Sequence, residues 1–323
     1  MTESHSPRSG GEARNRPKRR SDADPLITSE SRRRQLGSSF ADQQSVEEAW
    51  EYDALRPRYP EAAVQQILAL GEGAARGCVE QGSTAAQSSA PRIVDLGAGT
   101  GILSRQLVAR GAQVHAVEPS QAMTEVLAQS VQHQDQQEDT ALQSRLRITR
   151  APAEETGLER GSADVVVAAQ AWHWFDAQAV QQEVRRLLVP GGHLGLIWNY
   201  LDTSDETVHR LTRIMRAGDV YRPGWKPVLD GQLFGPVQTT EHRWSRRLSV
   251  AEIFRYATTL SSWLSAEEKD RVRRRGNLED YLMRERGLTE EDEVELPMIT
   301  VLHSARSTPS ARSTPSARFT LPS

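Results

Sequence analysis

Three glycines at alternate positions connect an apolar segment to a helical one in the first third of this chain. They lie in the run Val94-Asp95-Leu96-Gly97-Ala98-Gly99-Thr100-Gly101, and the apolar spacing that follows it at 102–108 is helical. Glycine has no Cβ, so a turn built from it adopts positive φ and lets a ligand lie against the backbone. The first N–H groups of the helix are unpaired and attract an anionic group. The run therefore predicts a strand, a glycine loop and a helix that together bind a nucleotide.

The segments around this run alternate between strand-like and helical patterns. Strands are predicted near 92–97, 113–118, 146–151, 163–169 and 192–198. Helices are predicted near 61–70, 101–110, 120–130, 176–188, 204–217, 250–258 and 266–286. Alternation of this kind indicates βαβ units, and hence an α/β fold with a mostly parallel sheet between two layers of helices.

Polar stretches interrupt this pattern, and a late apolar run completes it. Residues 71–90 and 131–145 are rich in small and polar side chains and are predicted to be surface loops, because strands resume directly after each. The run at 294–302 is strand-like and follows the last helices. Residues 40–303 are therefore expected to form one domain.

Residues 1–39 contain almost no large apolar groups and are predicted to be a disordered tail, and residues 304–323 are predicted to be a low-complexity tail without a fold. The first tail carries the basic clusters Lys18-Arg19-Arg20 and Arg32-Arg33-Arg34. Nucleic-acid contact, a targeting signal and a merely solvated tail all remain open for these clusters. The second tail begins with two copies of Ser-Ala-Arg-Ser-Thr-Pro, which are too short to be solenoid repeats.

The composition of the 323 residues narrows the class of protein. A formal net charge of −3 gives no general reason to expect a nucleic-acid or membrane partner. The single cysteine, Cys78, excludes a disulfide framework, and the histidines lack metal-ligand spacing. No apolar run reaches the ~18–20 residues that span a bilayer, and the basic N-terminus lacks the apolar region of a secretory signal. We therefore expect a soluble, cytoplasmic protein without a metal ion, and leave its oligomeric state open.

Later motifs bear on which nucleotide the loop binds. The glycines depart from the dinucleotide pattern G-x-G-x-x-G, because Ile102 stands where its third glycine belongs. Glu118 ends the second strand, where an acid accepts hydrogen bonds from both ribose hydroxyls; alternatively, it is an acid favoured by the N-terminus of a helix. Two further motifs are Ala153-Glu154 after the third strand and Leu188-Val189-Pro190-Gly191-Gly192 before the fifth. From these residues alone, a nicotinamide dinucleotide remains an alternative.

In this order, the D-x-G-x-G-x-G run, the acid at 118, the Ala-Glu pair and the L-x-P-G-G motif resemble class I S-adenosylmethionine (SAM) dependent methyltransferases of the type 11 group. The resemblance covers residues 40–303 and implies a Rossmann-like, seven-stranded sheet with an antiparallel last strand and a helical, substrate-side segment at about 200–290. Three further phrases resemble the trans-aconitate-methyltransferase-like subgroup. They are Tyr52-x-x-x-Arg56-Pro57-x-Tyr59-Pro60, the run from Gln170 to Asp176, and Ile197-Trp198-Asn199.

The resemblance implies that many of these residues bind SAM. The backbone at Gly97, Ala98, Gly99 and Gly101 would approach its methionine part, and Asp95 would order the loop. The other implied contacts are Glu118 and Pro119 at the ribose, Met123 along the adenine, Ala153 and Glu154 at the adenine edge, Ala169 and Gln170 at the sulfonium, and Tyr52, Arg56 and Tyr59 as a lid. The alternatives are helix packing for Met123, a helix cap for Glu154, and ordinary surface or packing roles for the lid residues.

The resemblance also implies a small organic molecule as the methyl acceptor. Trp172 and Trp174 would bury this substrate, with Phe175 and Trp198 either beside them or in the core. His173 would be the general base toward a hydroxyl, would only orient a carboxylate, or would have a structural role. The Asn/Asp-Pro-Pro-Tyr motif of amino-methylating nucleic-acid enzymes is absent after the fourth strand, which favours transfer to oxygen by direct displacement. A nucleic-acid methyltransferase and a SAM-binding protein without turnover remain alternatives.

Overall fold

The computed structural model describes residues 45–77, 90–135, 144–217 and 221–308. Seven strands form one sheet: β1 Arg92–Leu96, β2 Gln113–Val117, β3 Leu146–Thr149, β4 Ala163–Ala169, β5 Leu188–Leu201, β6 Gln238–Ser249 and β7 Glu293–Arg306. The helices are α1 Val46–Leu55, α2 Glu61–Gly77, α3 Ile102–Val108, α4 Gln121–Asp135, α5 Ala177–Leu187, α6 Glu206–Met215, α7 Val250–Thr258, α8 Ser261–Leu264 and α9 Glu268–Glu279, the last continuing into a π-helical turn at Asp280–Glu285.

The strand order β3-β2-β1-β4-β5-β7-β6 is that of a doubly wound sheet. Strands β1 to β5 pair in parallel, whereas β7 is antiparallel to both of its neighbours, β5 and β6. The prediction of a mostly parallel seven-stranded sheet with an antiparallel last strand is confirmed. The order reverses between β1 and β4, and an open sheet of this kind binds its ligands at such a switch point, beyond the carboxyl ends of the strands.

Alternate residues of the central strands pack on opposite faces of the sheet. Ile93 and Val165 belong to one apolar cluster with residues of α2 and α3. Val94 and Val166 belong to another cluster with residues of α5. Strand β4 is buried along its length except at Ala169, its carboxyl end. Burial on both faces explains the apolar run from Val165 to Ala169 in this strand, and the end of the strand is left to contribute to a site.

Two predicted loops are partly helical in the structure. Helix α2 continues to Gly77 and helix α4 to Asp135, so the predictions of loops at 71–90 and 131–145 were wrong at their beginnings. Both extensions contain alanine or glutamine, which are good helix formers, and the compositional shift to polar residues does not end a helix by itself. Residues 78–89, which include Cys78, and residues 136–143 lie outside the described residues, as does the predicted tail at 1–39.

The sheet extends further toward the C-terminus than predicted. Ser304, Ala305 and Arg306 pair with β5, and the N–H of Thr308 donates to the carbonyl of Leu233 at 2.9 Å. The prediction of a tail from residue 304 was therefore wrong for its first five residues. Strand pairing depends on backbone hydrogen bonds, so a partner strand orders a segment whose composition alone would predict disorder.

Helix α1 and strand β6 are absent from the predicted elements, although both have sequence signals. Helix α1 begins with a capping box, in which the Ser45 side chain accepts from the Glu48 N–H and the Glu48 side chain accepts from the Ser45 N–H. Strand β6 alternates between exposed and half-buried residues along most of its length, as expected for an edge strand with few large apolar groups. Among the described residues, no helix is long and apolar enough to cross a membrane.

Candidate active site

The glycine loop has the backbone geometry that its sequence predicts. Gly97, Gly99 and Gly101 have φ values of +65°, +57° and +81°. A Cβ at Gly101 would lie 2.0 Å from Cδ1 of Leu127, so this glycine is required for packing between the loop and α4. A Cβ at Gly99 would meet nothing within 4 Å. The backbone at Gly99 is therefore open to a ligand.

Glu118 fixes the loop to the end of β2. Its Oε2 accepts a hydrogen bond of 2.9 Å from the N–H of Gly99, and its Oε1 accepts one of 2.9 Å from the N–H of Ser120. The carboxyl group is buried, and this burial raises its pKa although both hydrogen bonds act in the opposite direction. Glu118 thus has a defined position at the edge of the cavity described below.

Asp95 lies beneath the loop and is fully buried. Its Oδ2 accepts a hydrogen bond of 2.7 Å from Oγ of Ser104 in α3, and its Oδ1 has no hydrogen-bond partner among the described residues. Burial raises the pKa of Asp95 to about 7; the Ser104 hydrogen bond opposes this shift, and the charge of Glu118 adds to it. Asp95 therefore contacts the helix that follows the loop and lines neither of the cavities at this edge of the sheet.

A cavity of about 340 Å³ opens beyond the carboxyl ends of β1, β2 and β4. Its floor is the backbone at Gly97 and Gly99, with Glu118 at one edge. The other predicted cofactor and substrate residues in its lining are Tyr52, Arg56, Pro119, Met123, Ala153, Glu154, Ala169, Gln170, His173 and Trp174. Pro152, Ala171, Phe175 and Ser261 complete the lining. The switch point of the sheet therefore brings together residues from most of the predicted motifs.

A smaller compartment of about 50 Å³ adjoins this cavity across the glycine loop. It shares Gly97, Gly99 and Gln170 with the larger cavity and adds Tyr59 and Ala98. The loop backbone is therefore accessible on two sides. Of the predicted site residues, Asp95, Gly101 and Trp172 line neither compartment.

The segment from Tyr52 to Tyr59 forms one wall of both compartments. The guanidinium of Arg56 lies 4.8 Å from the ring centroid of Tyr52, and its Nη2 donates to the carbonyl of Thr259 at 3.3 Å. Tyr59 is buried, and its backbone N–H and carbonyl both bond the side chain of Gln106 in α3, at 2.9 and 2.8 Å. This wall is packed onto the sheet and its helices.

Asn199 connects this wall to the end of β4. Its Nδ2 donates to the carbonyls of Pro57 and Arg58, and its backbone carbonyl accepts a hydrogen bond of 2.9 Å from Nε2 of Gln170. Gln170 has a φ of +58°, which is uncommon for a residue other than glycine. Its Oε1 is buried and has no hydrogen-bond partner among the described residues. In the sequence, Asn199 stands out only as a member of the Ile-Trp-Asn phrase. The role of its side chain follows from the long-range hydrogen bonds, which the sequence does not show.

The turn Trp172–Trp174 forms the opposite wall. The rings of His173 and Trp174 both line the cavity, with their centroids 4.7 Å apart. Trp172 is buried and packs edge-on against Phe175, at a centroid distance of 6.2 Å. The turn is a single 3-10 helix of three residues, so its aromatic side chains point in different directions. The predicted substrate contact of Trp172 therefore has no support from its position, and Trp198 is likewise buried in the core.

Glu154 and Met123 each make the structural contact that the sequence left open as an alternative, and each also lines the cavity. Oε1 of Glu154 accepts a hydrogen bond of 2.7 Å from the N–H of Asp176, the N-cap of α5, while the side chain also lines the cavity. Met123 packs with Ala49 and Val126 between α1 and α4, and it lines the same cavity. Ser261, at the start of α8, lines the cavity without any signal in the sequence that singles it out.

The described residues contain no group of three or more His, Cys, Asp or Glu side chains placed to hold a metal ion. The carboxyl and imidazole side chains that line the cavity are those of Glu118, Glu154 and His173.

Known proteins resemble this chain over most of its length. Residues 94–196 match the family described as a methyltransferase domain. An uncharacterized methyltransferase of Mycobacterium tuberculosis is 31% identical over 254 residues, which cover 77% of this chain and 90% of the relative. An uncharacterized methyltransferase-like protein of Schizosaccharomyces pombe is 26% identical over 227 residues, which cover 68% of this chain and 83% of the relative.

A similar solved structure is that of a protein from Anaeromyxobacter dehalogenans described as a type II methyltransferase. It is 25% identical in sequence and covers 79% of this chain and 97% of its own, with a TM-score of 0.48.

Proposed function

This chain belongs to the SAM-dependent methyltransferases, and we propose that it transfers the methyl group of SAM to an oxygen atom of a small organic acceptor. The observation that carries the proposal is that a single cavity is lined by the glycine loop and Glu118 on one side and by His173 and Trp174 on the other. The narrower assignment to the trans-aconitate-methyltransferase-like subgroup rests on the three sequence phrases and stays a prediction.

The residues around the cavity fit the donor. The backbone at Gly99 is open, since even a Cβ there would meet nothing within 4 Å. Glu118 has lone pairs beyond the two N–H bonds that it accepts, and these would receive the ribose hydroxyls. The unpaired Oε1 of Gln170 would accept from the ammonium of the methionine part. A buried hydrogen-bond acceptor without a partner is costly in the free protein. A ligand that places an ammonium group beside this oxygen is therefore favoured.

When bound, SAM supplies a methyl group on a positively charged sulfur. The chain's own contribution is alignment and the exclusion of water, and alignment of two reactants supplies roughly 7–11 kcal/mol of a barrier. Trp174, Phe175 and Tyr52 provide apolar walls for this purpose. The rings of Trp174 and Phe175 also attract a cation, which favours SAM, with its positively charged sulfur, over S-adenosylhomocysteine, whose sulfur is neutral.

An oxygen acceptor is supported by two side chains of the cavity lining, Arg56 and His173. The Arg56 guanidinium is a planar, permanently charged group suited to a carboxylate, either that of the methionine part of SAM or that of the acceptor, and it lies on the ring of Tyr52. The His173 imidazole on the opposite wall is suited to receive a proton from a hydroxyl. A carboxylate acceptor requires no base, so in that case His173 would orient the substrate.

The acceptor class is tested by incubating the purified full-length protein with methyl-labelled SAM and a cellular metabolite extract. We expect label in small molecules, with methyl esters releasing methanol in alkali and methyl ethers resisting it. The Glu118→Gln variant should label much more slowly when SAM is supplied near the dissociation constant of the wild type, and Asn277→Ala, which changes an exposed residue on α9, should label like the wild type. Label confined to nucleic acid or to nitrogen would refute the proposal, and so would tight binding of S-adenosylhomocysteine without any labelled product.

The role of His173 is then tested on the identified acceptor with His173→Asn. For a hydroxyl acceptor, loss of a general base should lower kcat by about 10²–10⁴-fold and remove the acidic limb of its pH profile. For a carboxylate acceptor, the variant should raise KM with little change in kcat. A variant with wild-type kcat and KM would restrict His173 to a structural role.

A further inference from the structure

A second cavity, of about 230 Å³, lies where β5, β6 and β7 meet the loop at 221–226. It shares no lining residue with either compartment at the glycine loop. It is therefore a separate site, and nothing in the proposed methyl transfer uses it. Its volume is below the range of typical drug-sized ligand pockets and suits a molecule with one ring.

Four side chains with aromatic rings line this second cavity. Tyr200 of β5 and Tyr221 of the loop have ring centroids 5.9 Å apart. Trp225 of the loop lies edge-on to His303 of β7, at a centroid distance of 5.5 Å. Flat rings at these angles present faces and edges to a planar guest, which is the arrangement that aromatic groups prefer.

His303 is a buried polar group in the lining. The side chain is only 2% exposed, and its Nδ1 lies 2.9 Å from Oγ1 of Thr239. Burial lowers the pKa of His303 to about 4, and the nearby charge of Lys226 acts in the same direction, so the ring is neutral at pH 7. Where Thr239 donates to Nδ1, the proton of the neutral ring is on Nε2, which then serves as a donor to a guest.

The charges around the second cavity favour an anion. Arg222 and Lys226 both line it, and neither forms a salt bridge with a described residue; Nζ of Lys226 donates to the carbonyl of Val237 at 3.2 Å. Glu241, the acid in the lining, already accepts a hydrogen bond from the hydroxyl of Tyr221. Burial and this contact raise the pKa of Tyr221 to about 12, so its proton stays on the hydroxyl and the hydrogen bond to Glu241 is kept. The lining therefore has two cationic side chains and one acidic side chain, a formal net charge of +1, and neither cation is paired with that acid.

We propose that this second cavity binds a small aromatic carboxylate, with its ring between Trp225 and Tyr200 and its carboxylate facing Lys226 and Arg222. An aromatic ammonium compound would have the same ring but would meet two like charges. The site is independent of the methyl-transfer proposal, because its ligand is predicted from residues that the donor cavity does not share.

The proposal is tested by titrating benzoate into the full-length protein saturated with S-adenosylhomocysteine, and by titrating benzylamine in parallel. We expect saturable binding of benzoate and none of benzylamine at the same concentrations. Lys226→Gln should weaken benzoate about threefold and the Lys226→Gln, Arg222→Gln pair about tenfold, as expected for partly exposed ionic contacts. Lys269→Gln, an exposed lysine on α9, serves as the matched control and should bind like the wild type.

A Trp225→Leu variant tests the aromatic wall and should weaken benzoate at least tenfold while leaving the affinity for S-adenosylhomocysteine unchanged. The charge variants change exposed side chains, so they remain informative if Trp225→Leu fails to fold. Three outcomes would overturn the proposal: no saturable binding of benzoate, stronger binding of benzylamine, or benzoate binding that is unaffected by the charge variants and lost in His173→Ala. The last result would place benzoate in the methyl-transfer cavity instead.

Discussion

The side-chain amide of Asn199 donates a hydrogen bond of 3.2 Å to the backbone carbonyl of Arg58, across 141 residues of sequence. The same amide group donates to Pro57, and its oxygen accepts from the hydroxyl of Thr300. Thr300 in turn accepts a hydrogen bond of 2.8 Å from Nε1 of Trp244. Strands β5, β6 and β7 therefore hold the segment that forms one wall of the donor cavity.

Replacing Asn199 with alanine should loosen that wall. The change leaves the Pro57 and Arg58 carbonyls and the Thr300 hydroxyl without their partner, and each such loss costs about 1–3 kcal/mol where the group stays buried. We expect a lower free energy of unfolding in urea and a weaker affinity for S-adenosylhomocysteine by calorimetry. Asn277→Ala should change stability by no more than about 0.5 kcal/mol. Equal stability of the two variants would contradict the role of Asn199.

Replacing Glu118 with glutamine should weaken donor binding more than it weakens the fold. The amide would place an N–H₂ group against the N–H of Gly99 or Ser120, and it accepts one fewer hydrogen bond from the ribose. We expect the dissociation constant of S-adenosylhomocysteine to rise about tenfold to a hundredfold, which corresponds to about 1.4–2.8 kcal/mol. Glu155→Gln changes an exposed acid in the loop after β3 and provides the matched control. Retention of full affinity by Glu118→Gln would remove Glu118 from the donor site.

Asp95 should make the stability of the protein depend on pH. Its pKa is about 7 in the folded protein, against 3.8 for an ordinary aspartate, so between these values the folded state holds a proton that the unfolded state has released. The stabilising contribution is complete below about pH 4 and is lost as the pH rises through 7. At pH 8 the loss amounts to about 4 kcal/mol, from about 1.4 kcal/mol per pH unit.

The Asp95→Asn variant isolates this effect, because the amide stays neutral and its oxygen still accepts from Ser104. We expect the variant to gain stability relative to the wild type between pH 4 and 7, with a constant difference above pH 8, in urea unfolding measured at each pH. Asp280→Asn, which changes an exposed aspartate, should show a small difference that does not vary over this range. A difference for Asp95→Asn that is flat from pH 4 to 8 would contradict the raised pKa.

The fold was predictable from sequence where local pattern and burial agree. Strands β1, β2 and β4 are short apolar runs between turn residues, and their positions in the structure match the predictions within one residue. Strand β6 has polar residues on both faces because it is the edge of the sheet, so the hydrophobic pattern is weak. The last residues of β7 are small and polar, and their pairing with β5 is a long-range property that composition does not contain.

The site was predictable where a motif carries backbone geometry. The positive φ values at Gly97 and Gly99 and the position of Glu118 follow from the D-x-G-x-G-x-G run and the strand after it. The direction of a side chain in a short turn was not predictable in this way. The sequence does not distinguish Trp172, which is in the core, from Trp174, which lines the cavity. Ser261 reaches the cavity through the packing of helices distant in sequence, which no local pattern encodes.

Gly99 and Gly101 should respond differently to the same substitution, since both have positive φ but only one faces open space. Gly101→Ala places a methyl group 2.0 Å from Leu127, so the loop or α4 has to move. We expect this variant to lose several kcal/mol of stability, roughly 1–2 kcal/mol from the left-handed backbone and the rest from the clash. Gly99→Ala has only the backbone cost, and its methyl group enters the space above the loop.

Gly99→Ala should therefore remain folded, with a melting temperature only a few degrees below that of the wild type, and should lose affinity for S-adenosylhomocysteine by about tenfold or more. Thermal unfolding and calorimetry on the two variants separate the effects. Gly101→Ala should mainly lower the melting temperature, whereas Gly99→Ala should mainly lower the affinity for S-adenosylhomocysteine. If Gly99→Ala bound S-adenosylhomocysteine with wild-type affinity, the donor would not lie against this loop. If Gly101→Ala were as stable as Gly99→Ala, the loop and α4 would not be packed as closely as the distance to Leu127 requires.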